Sequence, residues 1–124
     1  MLDDPRPSSL FHPAIDRLYP SGYSLSVIEI RKTNVFAQWL DGLRDIQARA
    51  RVQARIERLR AGNPGDAKPV GEGVSELRID YGPGYRVYYK GFGRDLIILL
   101  AGGDKRKQAR DIQNALRMAR CIGE

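Results

Sequence analysis

The chain has 124 residues, of which 42% are hydrophobic and 29% charged, with a net charge of +6 and an isoelectric point near 9.8. This length fits one domain with a single modest core, and no apolar run approaches the roughly 20 residues that a membrane helix requires. Cys121 is the one cysteine, which excludes an intrachain disulfide, a cysteine-based zinc site and a Cys-based redox pair. The basic balance favours a negatively charged partner, such as nucleic acid or an acidic protein.

Residues 1–26 differ from the rest of the chain in composition. They hold four of the seven prolines and no lasting periodicity, which predicts a flexible leader. Asp3 and Asp4 stand where a secretory signal would be cationic, so we expect a cytoplasmic protein. Residues 27–124 contain 19 Lys or Arg against 12 Asp or Glu. The basic character therefore belongs to the folded domain.

The first half of this domain predicts a strand followed by a helical hairpin. Val27–Ile30 is short and rich in β-branched residues, which is typical of a strand. Thr33 or Asn34 can cap a first helix, and Asp45 can start a second. The apolar residues that recur with helical spacing, and that we expect in the core, are Phe36, Trp39, Leu40 and Leu43 in the first helix and Val52, Ile56 and Leu59 in the second.

A row of arginines lies beside the apolar positions of the second helix. Arg51, Arg55 and Arg58 follow one another at i, i+4 and i+7, and Glu57 is the one acidic residue of that helix. Pairing within the helix therefore cannot neutralise the row. Such a row is either a solvated helix face or a docking stripe for an acidic partner or for phosphates.

Residues 75–89 alternate around a Gly-Pro-Gly turn and predict a β-hairpin. A register that places Ile79 opposite Val87 buries both side chains and leaves the five-residue loop 81–85. We then expect three side chains to share the outer face of the hairpin: Arg78, Arg86 and Tyr88. As alternatives, Arg86 pairs with Asp80 across the strands, and Tyr88 only covers the sheet.

The last third of the chain predicts a buried strand and a basic helix. Leu96–Leu100 is a continuous apolar run, as expected for a strand that is covered on both faces or lies centrally. Gly102, Gly103 and Asp104 cap the final helix, with an expected buried stripe of Ile112, Ala115, Leu116 and Ala119. Cations at a helix start oppose the macrodipole by about 0.3–1 kcal/mol each, so a bound phosphate would favour them. The candidate RNA- or phosphate-binding residues are Arg106, Lys107 and Arg110 of this helix and Lys90 of the hairpin.

Four motifs occur in order: Arg-Lys-Thr-x-x-Phe-x-x-Trp-Leu at 31–40, Gly-Asn-Pro-Gly-Asp-x-Lys-Pro-Val at 62–70, Glu-Leu-Arg-Ile-Asp-Tyr-Gly-Pro-Gly-Tyr-Arg at 76–86 and Gly-Gly-Asp-Lys at 102–105. With them the chain resembles the RelE/ParE superfamily of toxins, most closely its HigB-like branch of addiction-module killer, or phage Gp49-like, proteins. With the predicted elements, this implies an α+β domain at 27–124: an N-terminal strand and helical hairpin packed on a twisted antiparallel sheet, with a C-terminal helix. The match begins at Val27, so we expect residues 1–26 to be upstream sequence translated from a start site set too early; the alternative is a leader added for expression.

The resemblance implies the toxin of a type II toxin–antitoxin pair, neutralised by a small helix-turn-helix antitoxin. Most characterised relatives enter the ribosomal A site and cleave mRNA, with the RNA's own 2′-hydroxyl as nucleophile and without a metal or cofactor. Arg86 resembles the arginine that faces the scissile phosphate, and Lys105 lies near the position of a cation after the last strand. Arg78 and Tyr88 are further catalytic candidates, placed by their shared face, while Lys105 could also be a solvated surface cation.

The chain departs from the family in its proton-transfer groups. Its one histidine, His12, lies in the leader, whereas some HigB enzymes are thought to use histidines. Asp111 and Ile112 occupy the region of the C-terminal tyrosine of RelE. A lysine or tyrosine with a lowered pKa, or the ribosome, would then have to supply proton transfer. The alternatives are a ParE-like, non-enzymatic inhibitor of DNA gyrase and an inactive remnant that still binds its antitoxin.

Overall fold

The computed structural model of the chain describes residues 27–123, and the predicted leader, residues 1–26, lies outside them. Five strands and three α-helices follow one another in the described part. They are β1 (Glu29–Lys32), α1 (Asn34–Asp41), α2 (Ile46–Arg60), β2 (Ala67–Gly71), β3 (Val74–Ile79), β4 (Tyr85–Phe92), β5 (Leu96–Asp104) and α3 (Gln108–Ile122), with a 3-10 turn, Lys105–Lys107, before α3.

The five strands form one mixed sheet in the order β1-β5-β4-β3-β2, so that β1 and β2 are its edges. The strands β2 to β5 are antiparallel to their neighbours, whereas β1 is parallel to β5. The predicted α+β class, with its helical hairpin and C-terminal helix, is confirmed. The strands β2 to β5 form the predicted antiparallel sheet, and the N-terminal strand β1 joins it in parallel beside β5. Two helices and three strands separate β1 from β5, and this is long enough for the crossover that a parallel pair requires.

The helical hairpin forms where the apolar spacing predicted it. Thr33 Oγ1 accepts a hydrogen bond of 3.0 Å from the Phe36 N–H, and Asp45 Oδ1 accepts one of 2.9 Å from the Gln47 N–H. The Thr33 hydroxyl also donates to the Leu100 carbonyl at 2.7 Å, which joins the start of α1 to β5. Among the predicted core residues of the hairpin, those that are buried are Phe36, Leu40, Val52, Ile56 and Leu59.

Helices cover both faces of the sheet. On one face α1 and α2 pack on Leu77, Val87 and Leu99, and on the other α3 packs on Tyr88 and Leu100. The apolar run of β5 is therefore covered on both sides, as predicted. We expected one face of the β3–β4 hairpin to be exposed as the outer face. This expectation is wrong, because α3 packs on that face.

The β3–β4 register differs from the predicted one by two residues. Leu77 lies opposite Val87 and Arg78 opposite Arg86, because the loop is Asp80–Gly84 and Tyr85 already belongs to β4. A shift of two leaves every side chain on its predicted face, so Arg78, Arg86 and Tyr88 do share one face. The alternative that pairs Arg86 with Asp80 is wrong, since Asp80 lies beyond the paired residues of β3.

Two adjacent glycines let both helical layers approach β5. Gly102 and Gly103, expected to cap the last helix, lie within the strand. Asp104 caps the 3-10 turn before α3, where its Oδ1 accepts from the Arg106 N–H at 2.9 Å. A Cβ atom at Gly102 would lie 2.1 Å from Trp39 Cε3, and one at Gly103 would lie 2.1 Å from Asp111 Oδ2. Since successive strand residues point to opposite faces, each glycine makes room for one helix.

We predict that Gly102→Ala destabilises the domain, because the added methyl group would overlap the Trp39 ring. Overpacking of this kind costs about 1–3 kcal/mol, and urea unfolding measures it. The matched control is Gly91→Ala in β4, where a Cβ atom would come no closer than 3.9 Å to the Leu96 carbonyl oxygen. Equal free energies of unfolding for the two variants would contradict the close packing of Trp39 on β5.

Candidate functional site

A buried carboxylate organises the face of the sheet that α3 covers. Glu76 is 0% exposed, and side chains from three elements surround it. It accepts hydrogen bonds from Arg78 Nε at 3.2 Å, Tyr88 Oη at 3.3 Å and Gln108 Nε2 at 2.8 Å. Arg86 Nε lies 3.8 Å from Glu76 Oε1. One negative charge therefore holds two arginines of neighbouring strands together beneath the start of α3.

Arg86 is largely buried and tightly held. Its side chain is 11% exposed, and its Nη1 donates to the carbonyls of Gly84 at 3.1 Å and Tyr85 at 3.2 Å. A Cβ atom at Gly84 would lie 3.4 Å from Arg86 Nη1 and 3.5 Å from Lys105 Cβ. The side chains of Arg86 and the exposed Lys105 thus both lie next to the last glycine of the hairpin loop.

The other two catalytic candidates differ in their accessibility. Arg78 is one-third exposed and forms an ion pair with Glu76. Tyr88 is 0% exposed, and burial together with the nearby Glu76 charge raises the pKa of its phenol well above its usual range. Its hydroxyl group therefore remains protonated and donates to Glu76. This corrects the expectation that Tyr88 lies on an outer surface.

The structure brings three of the four phosphate-binding candidates to the side of Lys105. Arg106, Lys107 and Arg110 are exposed around the 3-10 turn and the start of α3. Arg106 pairs with Asp104 at 3.0 Å, so its charge is partly neutralised. Lys90 lies four residues along β4 from Arg86, about 13 Å at the usual rise of a strand, and its Nζ is 5.1 Å from the Phe92 ring centroid. It does not belong to this group.

Sequence reasoning missed the acidic and amide groups of the site. Besides Glu76 and Gln108, Asp111 contributes a carboxylate that is 13% exposed and packs on Gly103. Gly103 lies directly across the strands from Arg86. Burial raises the pKa of Asp111, although Arg110 and Lys107 oppose the shift. The available signal was the spacing of Gln108 and Asp111, which puts both on one face of the first helical turn, above a strand glycine.

We predict that Asp111→Asn stabilises the domain at neutral pH. Because the folded-state pKa of Asp111 is raised, ionisation disfavours the folded state, and stability is lost as the pH rises from the unfolded to the folded pKa. The stabilisation by asparagine should therefore be larger at about pH 7 than below about pH 4, where carboxyl groups are protonated. Urea unfolding at both pH values measures this.

Asp95→Asn, at an exposed turn position, serves as the control and should show no such difference. A stabilisation by Asp111→Asn that does not change with pH, or that has the opposite sign, would contradict the burial argument.

Within residues 27–123, none of the helices has both the length and the hydrophobicity of a membrane span. In the same residues, no cluster of three histidine, cysteine or carboxylate side chains is arranged to hold a metal ion.

Comparisons with known proteins identify the family. A model of phage-derived Gp49-like proteins matches residues 38–120. The chain is also 49% identical over 96 residues to an uncharacterized protein of Haemophilus influenzae, in an alignment that covers 77% of this chain and 97% of that protein. The matched region contains β3, β4, β5 and most of α3, and thus the buried Glu76 cluster. The chain therefore belongs to the Gp49-like family, which is associated with RelE/ParE-like toxins.

Proposed function

We propose that this chain is the toxin of a type II toxin–antitoxin pair and that it inhibits translation by cleaving mRNA on the ribosome. The observation that carries the proposal is that the side chains of Arg86 and Lys105 both lie against Gly84. Two basic side chains are thus neighbours there, one largely buried beside Glu76 and one exposed. Such a pair suits a phosphate whose negative charge increases during reaction.

The proposed reaction needs no group outside the RNA as nucleophile. The proton of the 2′-hydroxyl passes to a base, the 2′-oxygen bonds to phosphorus, and the bond from phosphorus to the 5′-oxygen breaks as that oxygen takes up a proton. The products are a 2′,3′-cyclic phosphate and a 5′-hydroxyl. Arg86 and Lys105 would stabilise the charged phosphorane, and Arg78 would add positive charge beside them.

Among the groups of the described cluster, Asp111 is the best candidate for the proton transfer. Burial raises its pKa, which makes its carboxylate a stronger base, and it packs on Gly103, directly opposite Arg86. Tyr88 is unsuitable because its pKa is also raised, which disfavours the phenolate that a base would need. We therefore assign Tyr88 the task of binding Glu76.

The test is a brief induction of the full chain in cells, with mRNA integrity, translation and the DNA damage response followed in parallel. Lys105→Ala and Arg86→Lys should each reduce the rate of mRNA cleavage by about 10²-fold, the usual effect of removing one positioned donor of an anion site. Arg86→Lys keeps the charge next to Glu76, so the fold is retained while the planar guanidinium is lost. Arg94→Ala, an exposed cation in the β4–β5 turn, is the control and should cleave normally.

The outcome also decides between the alternatives. DNA damage signalling with intact mRNA would contradict the nuclease and support a ParE-like gyrase inhibitor, for which the lack of a histidine in residues 27–124 leaves room. Normal growth on induction would support an inactive, antitoxin-binding remnant. Undiminished cleavage by Lys105→Ala and Arg86→Lys would show that the chemistry lies elsewhere.

A further inference from the structure

We propose that the arginines of α2 form a second surface for RNA, on the face of the domain opposite to α3. Arg51 and Arg58 are its exposed members, and Arg55 forms its floor. They line a cleft of about 220 Å³ together with Ile79 and Asp80 at the end of β3. The proposed ligand is the phosphate backbone of a single strand, and the surface acts in binding rather than cleavage.

Arg55 fixes the floor of this cleft. Its guanidinium donates to the backbone carbonyls of Arg78, Pro64 and Asp66, so that it joins α2 to both ends of the β2–β3 hairpin. These carbonyls are neutral and leave its positive charge in place. Its Nε is buried and has no hydrogen-bond partner among the described residues. The floor of the cleft is thus a guanidinium group whose hydrogen bonds go to neutral carbonyls.

The positive charges of the row crowd one another. A Cβ atom at Gly65 would lie 3.2 Å from Arg55 Nη2 and 3.6 Å from Arg58 Nη2, so both guanidinium groups reach the same glycine. Burial and the Arg58 charge lower the pKa of Arg55, although the nearby Asp66 charge opposes the shift. An anion between these groups would relieve the repulsion, which favours a negatively charged ligand over open solvent.

The acidic residues near the row offset its charge only in part, with Asp45 close to Arg51 and Asp66 close to Arg55. Glu57 accepts from Arg60 Nε at 3.2 Å, and Asp45 caps α2 and accepts from the Tyr81 hydroxyl at 2.9 Å. Within residues 27–123, neither Arg51 nor Arg58 forms an ion pair. Asp80 is the one acidic residue that lines the cleft, and it cannot balance three arginines.

The spacing of the row and its connection to the hairpin loop favour a nucleic acid strand. From Arg51 to Arg58 the helix rises about 10 Å, a length along which more than one phosphate of an extended strand can lie. Arg51 stacks over the Tyr81 ring at 4.6 Å, and Tyr81 belongs to the same loop as Gly84. This loop therefore joins the α2 surface to the Arg86 and Lys105 site, and one strand could contact both.

The experiment measures binding of the full chain to a fluorescent single-stranded 2′-O-methyl RNA by anisotropy over a series of salt concentrations. This probe lacks the 2′-hydroxyl nucleophile, so the result does not depend on the proposed cleavage. The double variant Arg51→Gln with Arg58→Gln is compared with the control Arg49→Gln with Arg94→Gln, which removes the same charge from exposed positions outside the cleft. We expect the first variant to lower the slope of log affinity against log salt by about 1.4, or 0.7 per lost phosphate contact, and the control to leave it nearly unchanged.

A third variant guards against a loss of folding. Arg51→Gln removes the contact with Tyr81, whereas Arg58→Gln alone removes an exposed side chain and should still lower the slope by about 0.7. Equal slopes for the row and control variants would overturn the proposal and assign RNA binding to diffuse charge. The same variants are also tested for binding to polyglutamate. If the row variant binds polyglutamate more weakly but binds RNA as before, the proposal is overturned and the row is a docking face for an acidic protein. A chain that binds RNA through the row but leaves cellular mRNA intact would refute the proposed function and not this surface.

Discussion

The buried Glu76 carboxylate is the interaction on which the candidate site depends. Removing an ion from water costs several kcal/mol even after relaxation, so a fully buried carboxylate persists only where its oxygens are satisfied. Here the partners come from β3, β4 and α3, namely Arg78, Arg86, Tyr88 and Gln108. Each of these elements is therefore fixed relative to the others by a charge that none of them could bury alone. The Arg86 guanidinium, held in this way, needs little reorganisation to receive an anion.

Close packing of the two helical layers on β5 determines where the cations can lie. Trp39 on one side and Asp111 on the other occupy the space that Gly102 and Gly103 leave open. Little room remains over the middle of the sheet, and the charged side chains gather at the end where the β3–β4 loop meets the start of α3. The Thr33 hydroxyl, which bonds to the Leu100 carbonyl, keeps α1 in register with the same strand. The candidate site is thus a consequence of how tightly the core is packed.

Much of the fold could be predicted from the sequence because its signals are local. Helical spacing located α1 and α2, Thr33 and Asp45 capped them, and strand alternation gave the correct faces to Arg78 and Arg86. The β3–β4 register could not be derived, since a shift of two residues preserves every face and only the loop geometry decides. The position of α3 over Tyr88 could not be predicted either, because amphipathic spacing shows which side of a helix is buried but not which residues that side covers. In the sequence Glu76 resembles any polar strand residue. Its burial depends on partners 2, 10, 12 and 32 positions away, and these contacts are visible only in the folded chain.

The two edges of the sheet bear on how this domain behaves at high concentration. An unpaired strand edge offers backbone groups to which another chain can add, and this is a common route to aggregation. At one edge, β1 has only four residues, of which Glu29, Arg31 and Lys32 are charged. At the other, β2 contains Pro69, and its pairing with β3 is irregular between Pro69 and Gly71. A short charged strand and an interrupted one are both poor templates, so the sheet is protected from growing into an intermolecular ribbon.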